Sequence, residues 1–312
     1  MVSKARKVWW DGRRCPYGRV PWEGGLRLGD GVFETLRTFG GAPFLLRPHL
    51  DRLRRGALAI GLKAVPRRSE LETVLRRSLA SASARTGGRN PRRPRELVVR
   101  IALVEGGRRA HLLIMIEPLP RRLDHPLAPR GVLVGTSRYP HPGPSLVPPG
   151  SPGPVKWLGR GPQSHALRDA RARGWEEGLL CDVRGNYVEG TRSNLLAMVG
   201  DRLLAPGPRS GALSGITREL AVRGAAGKGF KVVDRPVAPR EILLASEVLL
   251  TSSLLGVVAV RNLDGRPVGR HDVSSGPLER ALRDHFASRI LQEEAAWRKA
   301  RSRRSKRVRP AA

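Results

Sequence analysis

The chain has 312 residues, enough for a sizeable core in two domains, and a net charge of +31 that favours polyanions electrostatically. Aromatic residues make up only 4%, which speaks against a base-stacking nucleic-acid platform, and two cysteines exclude a disulfide scaffold and fit a reducing, cytoplasmic setting. The N-terminus lacks an apolar signal core, and the most apolar run, residues 242–260, is broken by Ser246, Glu247, Ser252 and Ser253, so no membrane contact is expected.

Alternation over residues 32–39 predicts a strand, which Gly40-Gly41 turns back into a second strand over 43–46. Helical spacing over 48–62 sets Leu50, Leu53, Ala57 and Ile60 on one face, and 68–84 reads as a second amphipathic helix. Residues 97–104 and 111–116 read as a hairpin around Glu105-Gly106-Gly107. The Pro/Arg-rich stretch 121–130 reads as a connector between an N-terminal α/β domain, 1–120, and a C-terminal domain, 131–296. A second Pro/Gly stretch, 140–154, leads straight into Lys156. A helix over 163–173, a strand over 178–183, a hairpin of 195–199 with 202–204 and a helix over 215–226 follow. Strands at 231–233, 247–250 and 257–260 and a closing helix over 278–297 complete the pattern. Residues 297–312 hold eight basic residues and no acid; they read as a disordered tail open to nonspecific polyanion contact.

Only eight of the 58 basic residues are lysine. A guanidinium keeps its proton at working pH, whereas a desolvated lysine releases it and serves as base or Schiff-base nucleophile. Lys156, in Gly153-Pro154-Val155-Lys156-Trp157-Leu158-Gly159, is therefore a candidate for chemistry, or else a solvated lysine. Glu189, in Tyr187-Val188-Glu189-Gly190, lies just past a predicted strand. It is suited to hold a cationic ring nitrogen, and is equally readable as a charged loop residue. Leu213-Ser214-Gly215-Ile216-Thr217-Arg218 opens a helix whose free N–H groups suit a phosphate, or are simply capped by Ser214 or Thr217. Thr251-Ser252-Ser253 offers hydroxyls after a buried strand, in an anion site or a turn. Arg47 could reach an anion at the start of a helix, and His49 reads as a capping or packing histidine. No metal-ligand spacing, Walker loop or nucleophile elbow is present.

The order of these pieces is more specific than any one of them. Gly29-Asp30-Gly31-Val32-Phe33-Glu34-Thr35-Leu36-Arg37 comes first, then Arg47-x-His49-x-x-Arg52-Leu53, Arg100 and Lys156. Glu189-Gly190-x-x-Ser193-Asn194 and Leu213-x-Gly215-Ile216-Thr217-Arg218 follow. The set resembles the class IV (fold-type IV) PLP-dependent aminotransferases, which include branched-chain and D-amino acid aminotransferases and aminodeoxychorismate lyase. The resemblance spans about residues 8–286.

It implies an α+β fold with a small N-terminal α/β domain and a larger, β-barrel-like C-terminal domain with helices. The expected enzyme is a homodimer with pyridoxal 5′-phosphate (PLP) between the domains. Lys156 would form the Schiff base with PLP and shuttle the proton. Glu189 would pair with the ring nitrogen. Arg47, Arg160, Asn194, Leu213, Gly215, Ile216, Thr217, Ser252 and Ser253 would complete the cofactor site, and Arg37 and Arg100 would face substrate. The family's frequent Tyr after the lysine is matched by Arg160, which lyase-type members also carry. Its Leu-Pro-Gly is Leu213-Ser214-Gly215 here, and Ser253 stands for the usual Thr. The first reading is an aminotransferase acting on an amino acid/keto acid pair. The alternatives are an aminodeoxychorismate lyase releasing pyruvate, and a non-catalytic basic nucleic-acid-associated protein on the same fold.

Overall fold

In the computed structural model the alternation at residues 32–39 becomes the longest strand of a six-stranded antiparallel sheet, next to its edge. The structure describes residues 6–16, 20, 24–83, 96–120, 123, 131–143, 148, 151, 153–269 and 276–307, with side chains as far as residue 300. The N-terminal elements are β1 (Lys7–Trp10), β2 (Arg13–Cys15), α1 (Gly24–Leu28), β3 (Gly31–Phe39), β4 (Ala42–Pro43), α2 (Leu46–Ala59), α3 (Arg68–Ser83), β5 (Leu97–Val104) and β6 (His111–Pro118). The sheet runs β2-β1-β6-β5-β3-β4.

Period-2 alternation along β3 turns Val32, Glu34 and Leu36 to one face and Phe33, Thr35 and Arg37 to the other. Leu50, Leu53 and Ala57 of α2 and Leu71, Leu75 and Leu79 of α3 cover the first face, against Leu36, Val99, Ile101 and Ile114. The strand expected over 43–46 is cut short. Leu45 takes a left-handed conformation, φ 51°, which reverses the chain into α2 at Leu46.

The second half contributes β7 (Gly131–Thr136), α4 (Gly161–Ala172), β8 (Glu177–Cys181), β9 (Tyr187–Gly190), β10 (Asn194–Val199), β11 (Arg202–Leu204), α5 (Ile216–Ala226), β12 (Lys231–Val233), α6 (Pro239–Leu244), β13 (Glu247–Ser252), β14 (Gly256–Leu263), β15 (Arg266–Pro267) and α7 (Pro277–Arg307). Its sheet runs β12-β11-β10-β13-β14-β7-β8-β9, and β9 pairs back onto β10, so the strands from β10 round to β9 close a ring. Leu195, Ala197, Leu250, Val258 and Val134 belong to one apolar cluster of this sheet. Their alternate neighbours Leu196, Leu249 and Val257 cluster instead with Leu220 and Ala221 of α5 and Leu282 and Phe286 of α7.

The two halves meet at Lys156. Phe33 N donates to Lys156 O at 3.0 Å, Leu158 N donates to Gly31 O at 2.8 Å, and Val32 bridges Trp157. Of the connector expected at 121–130, only Leu123 is among the described residues.

The tail expected to be disordered from Trp297 is instead helical through Arg307; residues 308–312 lie outside the described residues. Residues 298–307 contain no Gly or Pro, and Ala, Arg and Lys extend a helix readily. Basic residues near its C-terminal end also suit the helix dipole. Trp297 belongs to the body: it packs against the N-terminal core, with the Arg76 guanidinium 4.0 Å from its ring centroid. Trp297→Ala should therefore lower stability by about 1–2 kcal/mol, read as a fall in the urea midpoint. Deleting residues 299–312 should leave that midpoint unchanged; an equal fall would mean that the last turns dock as well.

Candidate active site

Lys156 sits on an irregular segment held by its main chain to β3, and its side chain extends beside Phe33, with Nζ 4.6 Å from the ring centroid. The residue as a whole is half-buried, but its amine lies in a desolvated niche. Burial lowers its pKa to about 7, helped by the positive charges of Arg160 and Arg52; Glu34 and Glu189 offset only part of this. The amine is thus poised between base and ammonium near neutrality, as a lysine nucleophile requires. The Arg160 guanidinium lies 5.8 Å from the same Phe33 ring and donates to Thr191 O.

Glu189 lies within β9 rather than just past a strand, directly opposite Asn194 of β10. Its Oε2 accepts from Asn194 Nδ2 at 3.1 Å and from Leu213 N at 3.0 Å, and its Oε1 lies 3.4 Å from His141 Nε2. Asn194 Nδ2 also donates to Leu213 O at 2.9 Å, fixing the loop ahead of α5. Asn194 and Leu213 thereby orient the carboxylate.

That loop delivers an anion cradle. Gly215 is the N-cap of α5, and a Cβ there would overlap Asn194 Oδ1, so only glycine fits. No described side chain caps this helix, so the N–H groups of its first turn, at Ile216 and Thr217, are available to a ligand. Thr251 shares its strand face with Leu249, which packs with α5. Its Oγ1 is buried without a hydrogen-bond partner among the described residues. Thr217, Ser252 and Ser253 line one small pocket with Phe39, Phe44 and Phe286.

The arginine of α2 that reaches this region is Arg52. Arg47 is exposed at the start of the helix. Arg52 donates to both oxygens of Glu34, at 2.6 and 2.8 Å, and to Ser214 O at 2.7 Å, next to the α5 N-cap. The sequence held a signal for this: Arg52 is three residues beyond His49 and shares its helix face. His49 Nδ1 lies 2.7 Å from the same Glu34, and its Nε2 lies 3.5 Å from Ser253 Oγ. Burial raises Glu34's pKa, but Arg52 and His49 outweigh it and hold the carboxyl at about 2; burial keeps His49 below its ordinary value.

The two arginines expected to face substrate both have protein partners. Arg37 is buried, its guanidinium donates to Leu123 O at 2.7 Å and Leu254 O at 3.1 Å, and it lies 4.4 Å from the Phe39 ring centroid. Arg100 is half-exposed and paired with Glu117, which also takes Arg6 at 2.9 Å. No cluster of metal-binding side chains occurs among the described residues.

A lysine poised near neutrality, a fixed carboxylate and an uncapped helix start suit a phosphorylated, carbonyl-bearing cationic ring. The model of the amino-transferase class IV family matches residues 31–263. The chain belongs to the class IV aminotransferases. It is 26% identical over 318 residues to the branched-chain-amino-acid aminotransferase of Pseudomonas aeruginosa, covering 96% of this chain and 98% of that one. The branched-chain aminotransferase of Thermoproteus uzoniensis, solved with norvaline, superposes with a TM-score of 0.75 at 24% identity, covering 92% of this chain and 95% of that one. A hypothetical aminotransferase from Mycobacterium tuberculosis, in its PLP-bound form, gives a TM-score of 0.75 at 24% identity, covering 92% of this chain and 99% of that one. The fold is therefore fold-type IV, and this family of enzymes is PLP-dependent.

Glu34 is the structural keystone of the cradle, and its pKa gives a pH test. A carboxyl held at about 2, below its usual 4.5, contributes stability that is fully present above 4.5 and lost as pH falls toward 2. Glu34→Gln should cost about 3 kcal/mol at pH 7, because it leaves Arg52 and His49 buried without their partner, and much less at pH 2. Urea unfolding at the two pH values checks this; an equal loss at both would remove the charge from the explanation.

Proposed function

We propose that this chain is a PLP-dependent aminotransferase acting on an amino acid/keto acid pair, with Lys156 as its covalent carrier and base. The observation that carries the reading is the desolvated Lys156 amine, lowered to about 7 and flanked by Arg160 and Arg52. The residues fit the cofactor: an α5 start that no described side chain caps, a Thr251 hydroxyl without a hydrogen-bond partner among the described residues, and Gly215, whose missing Cβ leaves room for Asn194 beside that helix start, suit its phosphate. Bound PLP would supply a ring that takes up the electron pair released when the substrate's Cα–H bond breaks.

Glu189 would hold the ring nitrogen, steadied by Asn194 and Leu213. The N–H groups of Ile216 and Thr217, with Ser252 and Ser253, would hold the phosphate. Arg52 takes the place expected for Arg47, on the strength of its bond to Ser214 O. Arg160 would approach the ring's phenolic oxygen. Lys156 Nζ, freed of its proton near neutrality, would take the proton from Cα and return it one position along. Arg37 and Arg100 remain the arginines of β3 and β5 proposed to face substrate carboxylates. The branched-chain amino acids named for relatives are the first substrates to test.

A homodimer, a cytoplasmic location and the division at 121–130 belong to the same reading. Two free cysteines fit a reducing compartment. Nonspecific polyanion contact through the basic residues beyond Trp297 is the remaining proposal, supported by their charge alone.

Borohydride should fix PLP to Lys156, and the rate of PLP attachment to apoprotein should rise with pH through a midpoint at about 7, where the amine loses its proton. Labelling of another lysine, or a midpoint near 10, would overturn the assignment of Lys156. Turnover should require both a branched-chain amino acid and a keto-acid acceptor; pyruvate release from aminodeoxychorismate without an acceptor would replace this reading with the lyase. Glu189→Gln should lower turnover roughly 10- to 150-fold through loss of a charge-assisted hydrogen bond, with little change in stability. Wild-type turnover would place the ring's partner elsewhere.

A further inference from the structure

His141 is a buried histidine beside this site that the proposed chemistry does not use. It follows β7 on the Pro/Gly-rich stretch that leads to Lys156. Its backbone is anchored, because His141 N donates to Cys181 O at 2.8 Å at the end of β8. Its ring is anchored too: Gly143 N donates to Nδ1 at 3.0 Å. An amide N–H only donates, so Nδ1 must present its lone pair. The single ring proton of that tautomer then sits on Nε2, 3.4 Å from Glu189 Oε1. A proton on both nitrogens would set the Nδ1–H against the Gly143 N–H, so the turn selects the ring that donates through Nε2 alone.

Glu189 is consequently held from two sides. Asn194 Nδ2 and Leu213 N occupy Oε2, and His141 faces Oε1. Without the third contact the carboxylate could turn about its last bond while keeping the other two only in part.

We infer that His141 is a positioning residue for Glu189, fixed as its Nε2–H tautomer by the turn at Gly143 so that it sets the orientation of the carboxylate. The inference rests on the reading of Glu189 as partner of the PLP ring nitrogen. It ties the residues just after β7, held to the end of β8, to the carboxylate proposed to meet the ring nitrogen.

Two substitutions separate this role from loop packing. In His141→Asn the side-chain oxygen can still accept from Gly143 N, but nothing reaches Glu189. In His141→Gln the longer side chain can still donate to Glu189. On PLP-loaded full-length enzyme, His141→Asn should lower kcat about tenfold with KM within twofold of wild type, and should shift the pH dependence of the bound cofactor's visible absorbance. His141→Gln should recover most of both. The double variant His141→Asn/Glu189→Gln should be no slower than Glu189→Gln alone, because the histidine acts only through that carboxylate.

Unchanged kcat and absorbance in His141→Asn, with Glu189→Gln impaired, would overturn the role of His141 and leave that of Glu189 standing. Equal loss in the Asn and Gln variants, or losses that multiply in the double variant, would assign the residue to loop structure. Wild-type behaviour of Glu189→Gln would overturn both readings together. Should His141→Asn fail to fold, nitrogen NMR of the wild-type holoenzyme decides: a protonated Nε2 and a bare Nδ1 are expected, and the reverse tautomer would sink the inference.

Discussion

Main-chain pairing between β3 and the segment around Lys156 is the constraint on which the site depends. Phe33 N to Lys156 O and Leu158 N to Gly31 O act as a short ladder between an otherwise irregular segment and the longest strand of the N-terminal sheet. A loop gains its precision from the rigid element beneath it. Here the rigid element belongs to one half of the molecule, while Glu189 and the α5 cradle belong to the other. The lysine is therefore brought to its partners only when the two halves are docked. The alternation of β3 does two jobs in that docking. It turns Glu34 back toward α2 and Phe33 forward toward the Lys156 amine.

Electrostatics in this chain are settled locally. A net charge of +31 would suggest a uniformly positive interior, yet the site is organised by two acids. Glu34 collects Arg52 and His49, and Glu189 collects an asparagine amide and a backbone N–H. Burial, and then Arg160 and Arg52, depress the lysine's pKa, while the acids limit how far. The surplus arginines lie largely at exposed positions, where solvent screens them.

Much of this was legible in the sequence, and the gaps have physical causes. Residues 32–39 declare themselves by alternation, whereas 97–104 and 195–199 declare themselves as short apolar runs ended by Gly turns, because β5 and β10 are buried on both faces. Lys156, Glu189 and Gly215 declare themselves by order along the chain. By contrast, β9 spans only Tyr187–Gly190, too short for its period to show, so the barrel-like closure came from the resemblance and not from the residues themselves. The first strand pair is short and lies at a sheet edge, where alternation carries little signal. Arg47 and Arg52 occupy one helix, and only the helix phase, set by tertiary packing, shows which faces inward. The far end of α7 has no apolar stripe; it continues because nothing in residues 298–307 stops it.

The ring of strands is sealed where β9 meets β10, through the register pair Glu189 and Asn194 and the Gly190 N to Ser193 O bond of the short turn between them. The thinnest seam of the barrel and the acid of the site are thus the same residues. Closure and competence become one event: a ring that has not sealed has no oriented carboxylate, however complete its helices. Gradual loosening by heat or denaturant would part this seam before it dissolved the long β5–β6 or β3–β5 ladders. Catalysis would fade while most of the secondary structure persisted, making activity a finer gauge of the barrel's integrity than any measure of helix content.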